Sequence, residues 1–300
     1  MQRYAALIID LEKSRSYSIE ERVAIQQYFI KSISCLNKIF SKALEKEVEF
    51  SAGDEVQGLF RYPEAAYLYL RMLSMIIFPV KIRAGIGMGD WDVKIEDAST
   101  TAQDGTVYHN ARYAINNVKS ATGCSVLFCS GQELDLYVNS LINTSFALTN
   151  NLSKYQSELM LLLELLYPID YCETLDYKKV RQILDFVIDY KKILDSVKPG
   201  SRAADMSMVR SNSKPNRIDP FEKLKYSVLY ENFTSIPIDV MYDISTLFVS
   251  GGKKRGMSKQ LSELLNISRQ SIEKTIKAAN FYEIRNLTIA AIKFMDRFLR

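Results

Sequence analysis

Residues 48–60, VEFSAGDEVQGLF, predict a β-hairpin from which the rest of the fold can be worked out. Apolar, β-forming residues occupy both ends of the stretch, and Ala52-Gly53 between them is a turn signal. Two adjacent carboxylates, Asp54 and Glu55, follow at the tip. A hairpin tip fixes a side chain while leaving it in contact with water, and carboxylate oxygens are the ligands that hard divalent cations prefer.

A second carboxylate follows another apolar strand, residues 4–9, whose composition is typical of a strand buried on both faces. We expect this residue, Asp10, to meet Asp54 across adjacent strand ends and to hold Mg²⁺ against a nucleoside triphosphate. Lys13 and Arg15 lie in the loop that follows. They would meet phosphate oxygens; the alternative is an ordinary solvated charged loop.

Hydrophobic periodicity orders the first 130 residues as β-α-β-β-α-β, followed by a further helix and strand. This order is typical of the α+β class in its ferredoxin-like or palm-type layout, an antiparallel sheet with helices on one face. Residues 91–95 are expected to return as an additional antiparallel strand. Gly85 and Gly87 alternate on one face of the strand at residues 80–88, which indicates that another element approaches the backbone closely there.

The remainder of the chain is predicted to be largely helical. Residues 152–194 look all-helical, and residues 228–248 look helical with a break at Pro237. Between them lies a polar run with the composition of a linker. The predicted division is a first domain at 1–140, a helical connector at 141–197, a linker at 198–220 that we expect to be mobile, and a C-terminal domain at 221–300.

Composition and charge narrow the functional classes. Residues 201–300 carry 17 Lys and Arg against 10 Asp and Glu, a balance of +7, whereas the whole chain has a net charge of only +4. The four cysteines have no C-x-x-C spacing and the only histidine is His109, so a structural zinc site is not expected. We expect the thiols to be free, and we expect neither a signal sequence nor an apolar run of about 20 residues. These features predict a cytoplasmic protein that does not enter a membrane.

The basic C-terminal part predicts a helix-turn-helix. Residues 258–265 and 269–279 have the spacing of two helices, and Asn266 and Ser268 suit a left-handed turn position and a helix N-cap. The second helix would present five residues to the major groove of DNA: Arg269, Gln270, Ser271, Lys274 and Lys277. The alternative is a helix pair that packs against protein and never contacts DNA.

Four segments resemble, in order, the motifs of class III nucleotidyl cyclases: IIDLEKSR, FSAGDEVQGLF, IRAGIGMG and DGTVYHNAR. The same segments resemble more closely the SatD family, which pairs such a domain with a C-terminal helix-turn-helix. AGDEV is also similar to the signature of GGDEF diguanylate cyclases, with Ala52 and Val56 replacing Gly and Phe. The similarity covers roughly residues 4–130.

The resemblance implies roles for individual residues. It makes Asp10 and Asp54, assisted by the Leu11 carbonyl, ligands of Mg²⁺ or Mn²⁺, and it matches Arg112 to the arginine that stabilises the cyclase transition state. In cyclases the site lies at a homodimer interface, so Arg112 would act in trans. Nucleotide contacts are predicted at Lys13, Ser14, Arg15, Phe50, Gly53, Glu55, Tyr108 and Asn110.

Two departures from the cyclase pattern leave two functions open. Phe50 stands where purine-reading cyclases hold Lys or Glu, and Tyr108 aligns with their ribose-positioning Asn, although Asn110 lies two residues further on. One hypothesis is an enzyme in which a 3′-hydroxyl attacks the α-phosphate and pyrophosphate leaves. The other is a cyclase-derived sensor that binds nucleotide without turnover and adjusts DNA binding.

Overall fold

The computed structural model describes residues 3–176, 179–180, 183–187, 236–237, 253 and 255–299. The elements of the first half follow the predicted order. They are β1 (Tyr4–Leu11), α1 (Ile19–Ile39), β2 (Leu44–Ala52), β3 (Glu55–Phe60), α2 (Pro63–Ile76), β4 (Ile82–Gly89), α3 (Thr106–Ser120) and β5 (Val126–Cys129).

These strands form a five-stranded sheet in the order β2-β3-β1-β4-β5. The first four strands pair in antiparallel fashion, as in a ferredoxin-like layout, but β4 and β5 are parallel. The prediction of an antiparallel sheet is therefore confirmed for the first four strands and wrong for β5. The sheet is mixed because α3 connects β4 to β5 as a crossover, which returns the chain in the same direction.

Helices cover both faces of the sheet, so the prediction of helices on one face is also wrong. Along β1, Ala5, Leu7 and Ile9 pack into the main core with residues of α1 and α2. The alternate residues Tyr4, Ala6 and Ile8 pack into a second cluster with residues of α3. All eight residues of β1 are buried, as predicted for a strand enclosed on both sides.

Glycines on β4, which have no side chains, let α3 lie directly against the sheet. A Cβ atom at Gly87 would come within 2.1 Å of the Ala111 backbone nitrogen, and one at Gly85 within 2.5 Å of the Ile115 nitrogen. The predicted close approach is confirmed. The approaching element is α3, whose position relative to the sheet is set by backbone contact.

Residues 91–95, predicted as a strand, form a loop in which Val93 makes only an isolated bridge to Asp104. Hydrogen bonds to a side chain take the place of the backbone hydrogen bonds of a β-ladder in this loop. The Gln103 Oε1 atom accepts hydrogen bonds from the Trp91 indole at 3.2 Å and from the Ile95 backbone at 2.9 Å. These bonds hold the loop without a partner strand.

Beyond the sheet come α4 (Asp135–Asn150) and α5 (Lys154–Leu166). The expectation of helix over residues 152–194 is wrong for residues 167–176; residues 179–180 and 183–187 are helical, and the remaining residues of that range after 176 lie outside the described chain. Pro168 cannot continue a helix, and Ile169–Asp170 form a short strand, β6, paired in parallel with β7 (Ile236–Pro237). Two residues of the predicted helix at 228–248 are therefore extended, and its other residues lie outside the described chain.

Three helices follow near the C-terminus: α6 (Met257–Leu265), α7 (Arg269–Ala278) and α8 (Phe281–Phe298). Asn266 has a left-handed conformation with φ 51°, and the Ser268 hydroxyl accepts a hydrogen bond from the Ser271 backbone; both predictions are confirmed. No helix in the described residues is long and apolar enough to span a bilayer.

A buried charge cluster joins α8 to the first half of the chain. The Glu164 carboxylate on α5 accepts hydrogen bonds at 2.7 Å from both Arg71 on α2 and Arg285 on α8. All three side chains are buried. The predicted linker at 198–220 lies outside the described residues, and the division into domains stays a prediction.

Candidate functional site

Asp10 lies near the end of β1, between two neighbouring strands. Its Cα pairs with Glu55 on β3 and with Arg83 on β4. The Asp10 Oδ2 atom accepts a hydrogen bond from Arg83 at 3.0 Å and lies 3.5 Å from the Nζ atom of Lys119 in the last turn of α3. Asp10 is thus an almost buried carboxylate with two cationic neighbours.

Glu55 faces the same side of the sheet and shares one of those cations. Its carboxylate lies 3.2 Å from Lys119 Nζ and 2.8 Å from Arg112 Nη1, and it accepts a hydrogen bond from the Ser51 hydroxyl at 3.1 Å. Glu55 is therefore the carboxylate that lies directly opposite Asp10, the place where the sequence had predicted Asp54.

The charge of Asp54 also affects the pKa of Asp10. Burial is the main reason that the pKa of Asp10 lies above its ordinary value; the charge of Asp54 raises it further, whereas Lys119 and Arg83 lower it. A charge shifts the pKa of a carboxylate in this way only when it lies near that carboxylate. A cation added between them would offset the effect of the Asp54 charge on Asp10, and the joint binding of a cation by Asp10 and Asp54 stays a prediction.

Asp54 and Gly53 line a pocket of about 350 Å³ beside the loop between β1 and α1. Its polar lining includes the predicted Ser14 and Arg15, together with Arg22 and Gln26 of α1. The Gln26 side chain donates a hydrogen bond of 3.2 Å to the Gly53 carbonyl and so ties the hairpin tip to α1. Apolar side chains complete the walls: Leu11, Tyr17, Ile19, Val23 and Ile25.

Several predicted nucleotide contacts do not line this pocket. Lys13 is exposed and lies 3.8 Å from Glu12. Phe50 packs edge to face against Phe29, on the sheet face opposite α3. Tyr108 belongs to α3 and is buried between that helix and the sheet, and burial raises the pKa of its phenol to about 12.

Asn110 lies at the far end of the strands from Asp10. Its side chain donates a hydrogen bond of 2.8 Å to the Met88 carbonyl. Met88 pairs with Ala5, five residues before Asp10 on β1, a separation of about 17 Å along the strand. Arg112, by contrast, reaches the Asp10–Glu55 region through its ion pair with Glu55 of the same chain.

The donors near Asp10 fit a magnesium-type cation better than zinc. In the described chain no three His, Cys, Asp or Glu side chains are grouped closely enough to form a metal site by themselves. Mg²⁺ and Mn²⁺ commonly use one or two protein carboxylates and complete their shell with water and substrate phosphates. Asp10 and Asp54 would hold such a cation, with the Leu11 carbonyl as the predicted third oxygen.

Comparison with known proteins identifies the family. The SatD family model matches residues 4–198, nearly two thirds of the chain. The chain belongs to the SatD family. A solved structure of a bacterial light-regulated adenylyl cyclase is similar over 42% of this chain and 74% of its own, with 12% identity and a TM-score of 0.31, which is too weak to indicate activity. No curated protein matches.

Three basic residues of this SatD protein's site were missed in the sequence: Arg22, Arg83 and Lys119. A signal existed for two of them. Lys119 follows Arg112 by seven residues, so both lie on one face of α3. Arg83 shares its strand face with Gly85 and Gly87, the face that α3 covers.

The predicted DNA-reading residues of this SatD protein lie together on α7, and all five are exposed: Arg269, Gln270, Ser271, Lys274 and Lys277. Arg269 is held by an ion pair of 2.9 Å with Glu273, one turn along the helix. The buried side of α7 carries Ile272 and Ile276. DNA binding stays a prediction.

Proposed function

We propose that this SatD protein binds a nucleoside triphosphate together with Mg²⁺ or Mn²⁺ and forms a cyclic or oligomeric nucleotide with release of pyrophosphate. One observation carries the proposal. Asp54, whose charge raises the pKa of Asp10, lines a pocket of about 350 Å³ together with Arg15 and Arg22. Carboxylates for a cation beside guanidinium groups for phosphate are the parts that phosphoryl transfer requires.

The roles of the chain's own residues follow from their positions. Asp10 and Asp54 hold the cation, which supplies charge neutralisation for the phosphates when it is bound. Arg15 and Arg22, both exposed, are free to turn toward phosphate oxygens in the pocket. Arg112 would stabilise charge on the α-phosphate at a homodimer interface, after release from Glu55.

A sensor without turnover is the second candidate. Two observations favour it: Tyr108, aligned with the ribose-positioning residue of cyclases, is buried, and Arg112 is held at 2.8 Å by Glu55 of its own chain. In this function the nucleotide and its cation bind in the same pocket. Nucleotide binding then alters DNA binding through the C-terminal helices.

Asp54→Asn tests the site. We expect the wild-type protein to bind at least one of the four NTPs with Mn²⁺, and Asp54→Asn and Asp10→Asn to weaken that binding by about tenfold or more because a charged ligand is lost. Asp97→Asn, at an exposed loop position, is the control and should bind as the wild type does. Calorimetry measures binding and a coupled assay measures pyrophosphate.

The outcomes separate the two functions. Pyrophosphate release that depends on Asp10 and Asp54 supports the enzyme. Tight binding without release by any NTP rules out the enzyme and favours the sensor. If the Asp54 and Asp97 variants bind nucleotide equally well, the pocket is not the nucleotide site.

We also propose that α7 binds DNA. Lys274 and Lys277 are exposed, one turn apart, on the face opposite the buried Ile272 and Ile276. Because each phosphate contact releases counterions, replacing either lysine with Ala should lower the salt slope of DNA binding by about 1. Gel shifts at several salt concentrations measure the slope; Lys42→Ala, on a turn after α1, is the control.

If the double variant Arg269→Ala, Lys274→Ala keeps both the affinity and the salt slope of the wild type, α7 does not enter the major groove. The helix pair would then serve only to pack against protein.

A further inference from the structure

Two carboxylates on neighbouring strands share one ammonium group. Lys119 Nζ lies 3.5 Å from Asp10 Oδ2 and 3.2 Å from Glu55 Oε2. Lys119 is in the last turn of α3, the helix whose distance from the sheet is set by backbone contact at Gly85 and Gly87. The lysine therefore extends from a helix that packs directly against the sheet, close to Asp10.

This ammonium stands in the way of a divalent cation. Asp10 Oδ2 already has Arg83 at 3.0 Å and Lys119 at 3.5 Å. A cation bound at Asp10 would lie within a few ångströms of Lys119, and charges of the same sign at that distance repel each other even after screening by water.

The lysine is able to leave. Its side chain is 35% exposed, whereas that of Asp10 is 10% exposed. A lysine carries its charge on a flexible four-carbon stem, so rotation about that stem moves the ammonium into solvent without moving α3. The second partner of Lys119, Glu55, keeps its ion pair with Arg112 when Lys119 leaves.

We propose that Lys119 is a built-in competitor for the divalent cation at Asp10, an ammonium group that must leave before the cation binds. Without metal it partly neutralises the Asp10 and Glu55 carboxylates. With metal bound it turns outward and becomes available to an anionic group. The inference rests on the proposed metal site and adds to it a residue that sets its affinity.

Mn²⁺ binding to the full chain, stripped of metal and measured by electron paramagnetic resonance, tests the competition. Lys119→Met should bind Mn²⁺ about tenfold more tightly than the wild type, because the competing charge is gone. Lys119→Arg, which keeps the charge, should stay close to the wild type. Lys42→Met is the control for net charge; it precedes Leu44, whose partner Phe60 pairs with Ala5, at the far end of β1 from Asp10.

The variants distinguish the two possible failures. If Lys119→Met binds Mn²⁺ no more tightly than the wild type while Asp10→Asn binds it more weakly, the metal site stands and the competition is overturned. If neither the wild type nor Lys119→Met binds Mn²⁺ at millimolar concentration, the proposed metal site is overturned and the inference with it.

A measurement on the wild-type protein covers the case in which Lys119→Met does not fold. The ammonium resonance of Lys119 in a ¹⁵N spectrum should shift when Mg²⁺ is added, as its ion pairs break. A resonance that stays unchanged while Mg²⁺ binds would overturn the competition.

Discussion

Glu164→Gln is expected to lower the free energy of unfolding by about 3–5 kcal/mol, because it leaves two buried guanidinium groups without a counter-charge. Glu164 is 1% exposed, Arg285 0% and Arg71 5%. Both arginines donate to the same Glu164 oxygen at 2.7 Å, and Arg285 also donates to the Tyr167 carbonyl at 3.1 Å.

The pH dependence of this effect has a definite sign. Burial raises the pKa of Glu164, but Arg285 and Arg71 outweigh it, so that the pKa lies below the ordinary value. A carboxylate with a lowered pKa contributes stability above its unfolded pKa of about 4.3 and loses it as the pH falls through the folded pKa. The difference between the wild type and Glu164→Gln should therefore be complete at pH 7 and shrink only in acid.

Denaturant unfolding at pH 7 measures the change. Glu133→Gln, at an exposed position, is the matched control and should change stability by no more than about 0.5 kcal/mol. The triple variant Arg71→Met, Glu164→Leu, Arg285→Met should regain most of the loss, because apolar side chains of similar size carry no desolvation cost. Equal stability of Glu164→Gln and the wild type would mean that the cluster is not buried in solution.

Gly87→Ala should destabilise the protein by about 3 kcal/mol, at the upper end of the range for overpacking. The added Cβ would lie 2.1 Å from the Ala111 nitrogen and 2.4 Å from the Val107 carbonyl oxygen, both backbone atoms of α3. Neither atom can rotate away, so the helix itself must move. Arg112 and Lys119 would move with it, and the ion pairs to Glu55 would lengthen.

Gly131→Ala is the control for this substitution. Gly131 has φ +76° but nothing within 4 Å of a Cβ, so only the left-handed conformation opposes a side chain, at a cost of about 1 kcal/mol. Urea unfolding compares the two. Equal losses would mean that α3 does not contact β4 as closely as described.

The order of the elements could be predicted from the sequence because each is encoded locally, by alternation in the strands and by helical spacing between them. Which helices cover each face of the sheet could not be predicted. The glycines of β4 predicted a close approach, but nothing local says that α3 is the element that makes it, or that it lies opposite α1 and α2.

The candidate site was predicted in part for the same reason. The positions of Asp10 and Asp54 at strand ends could be predicted from the sequence. The register of the strands, however, decides which carboxylate faces α3, and a shift of one residue moves each side chain to the other face of the sheet. The observed pairing of Ile9 with Val56 places Glu55 opposite Asp10. The buried cluster had no local signal at all, since Glu164 is separated by 93 residues from Arg71 and by 121 from Arg285.

That separation has a consequence during translation. Glu164 leaves the ribosome 121 residues before Arg285, which at about 5–20 residues per second is an interval of roughly 6 to 24 seconds. During this interval α8 cannot yet cover the apolar surface of α4 and α2 on which it packs, and that surface is open to aggregation or to chaperones. Helix α8 thus completes the interior of a part of the chain that emerges long before it.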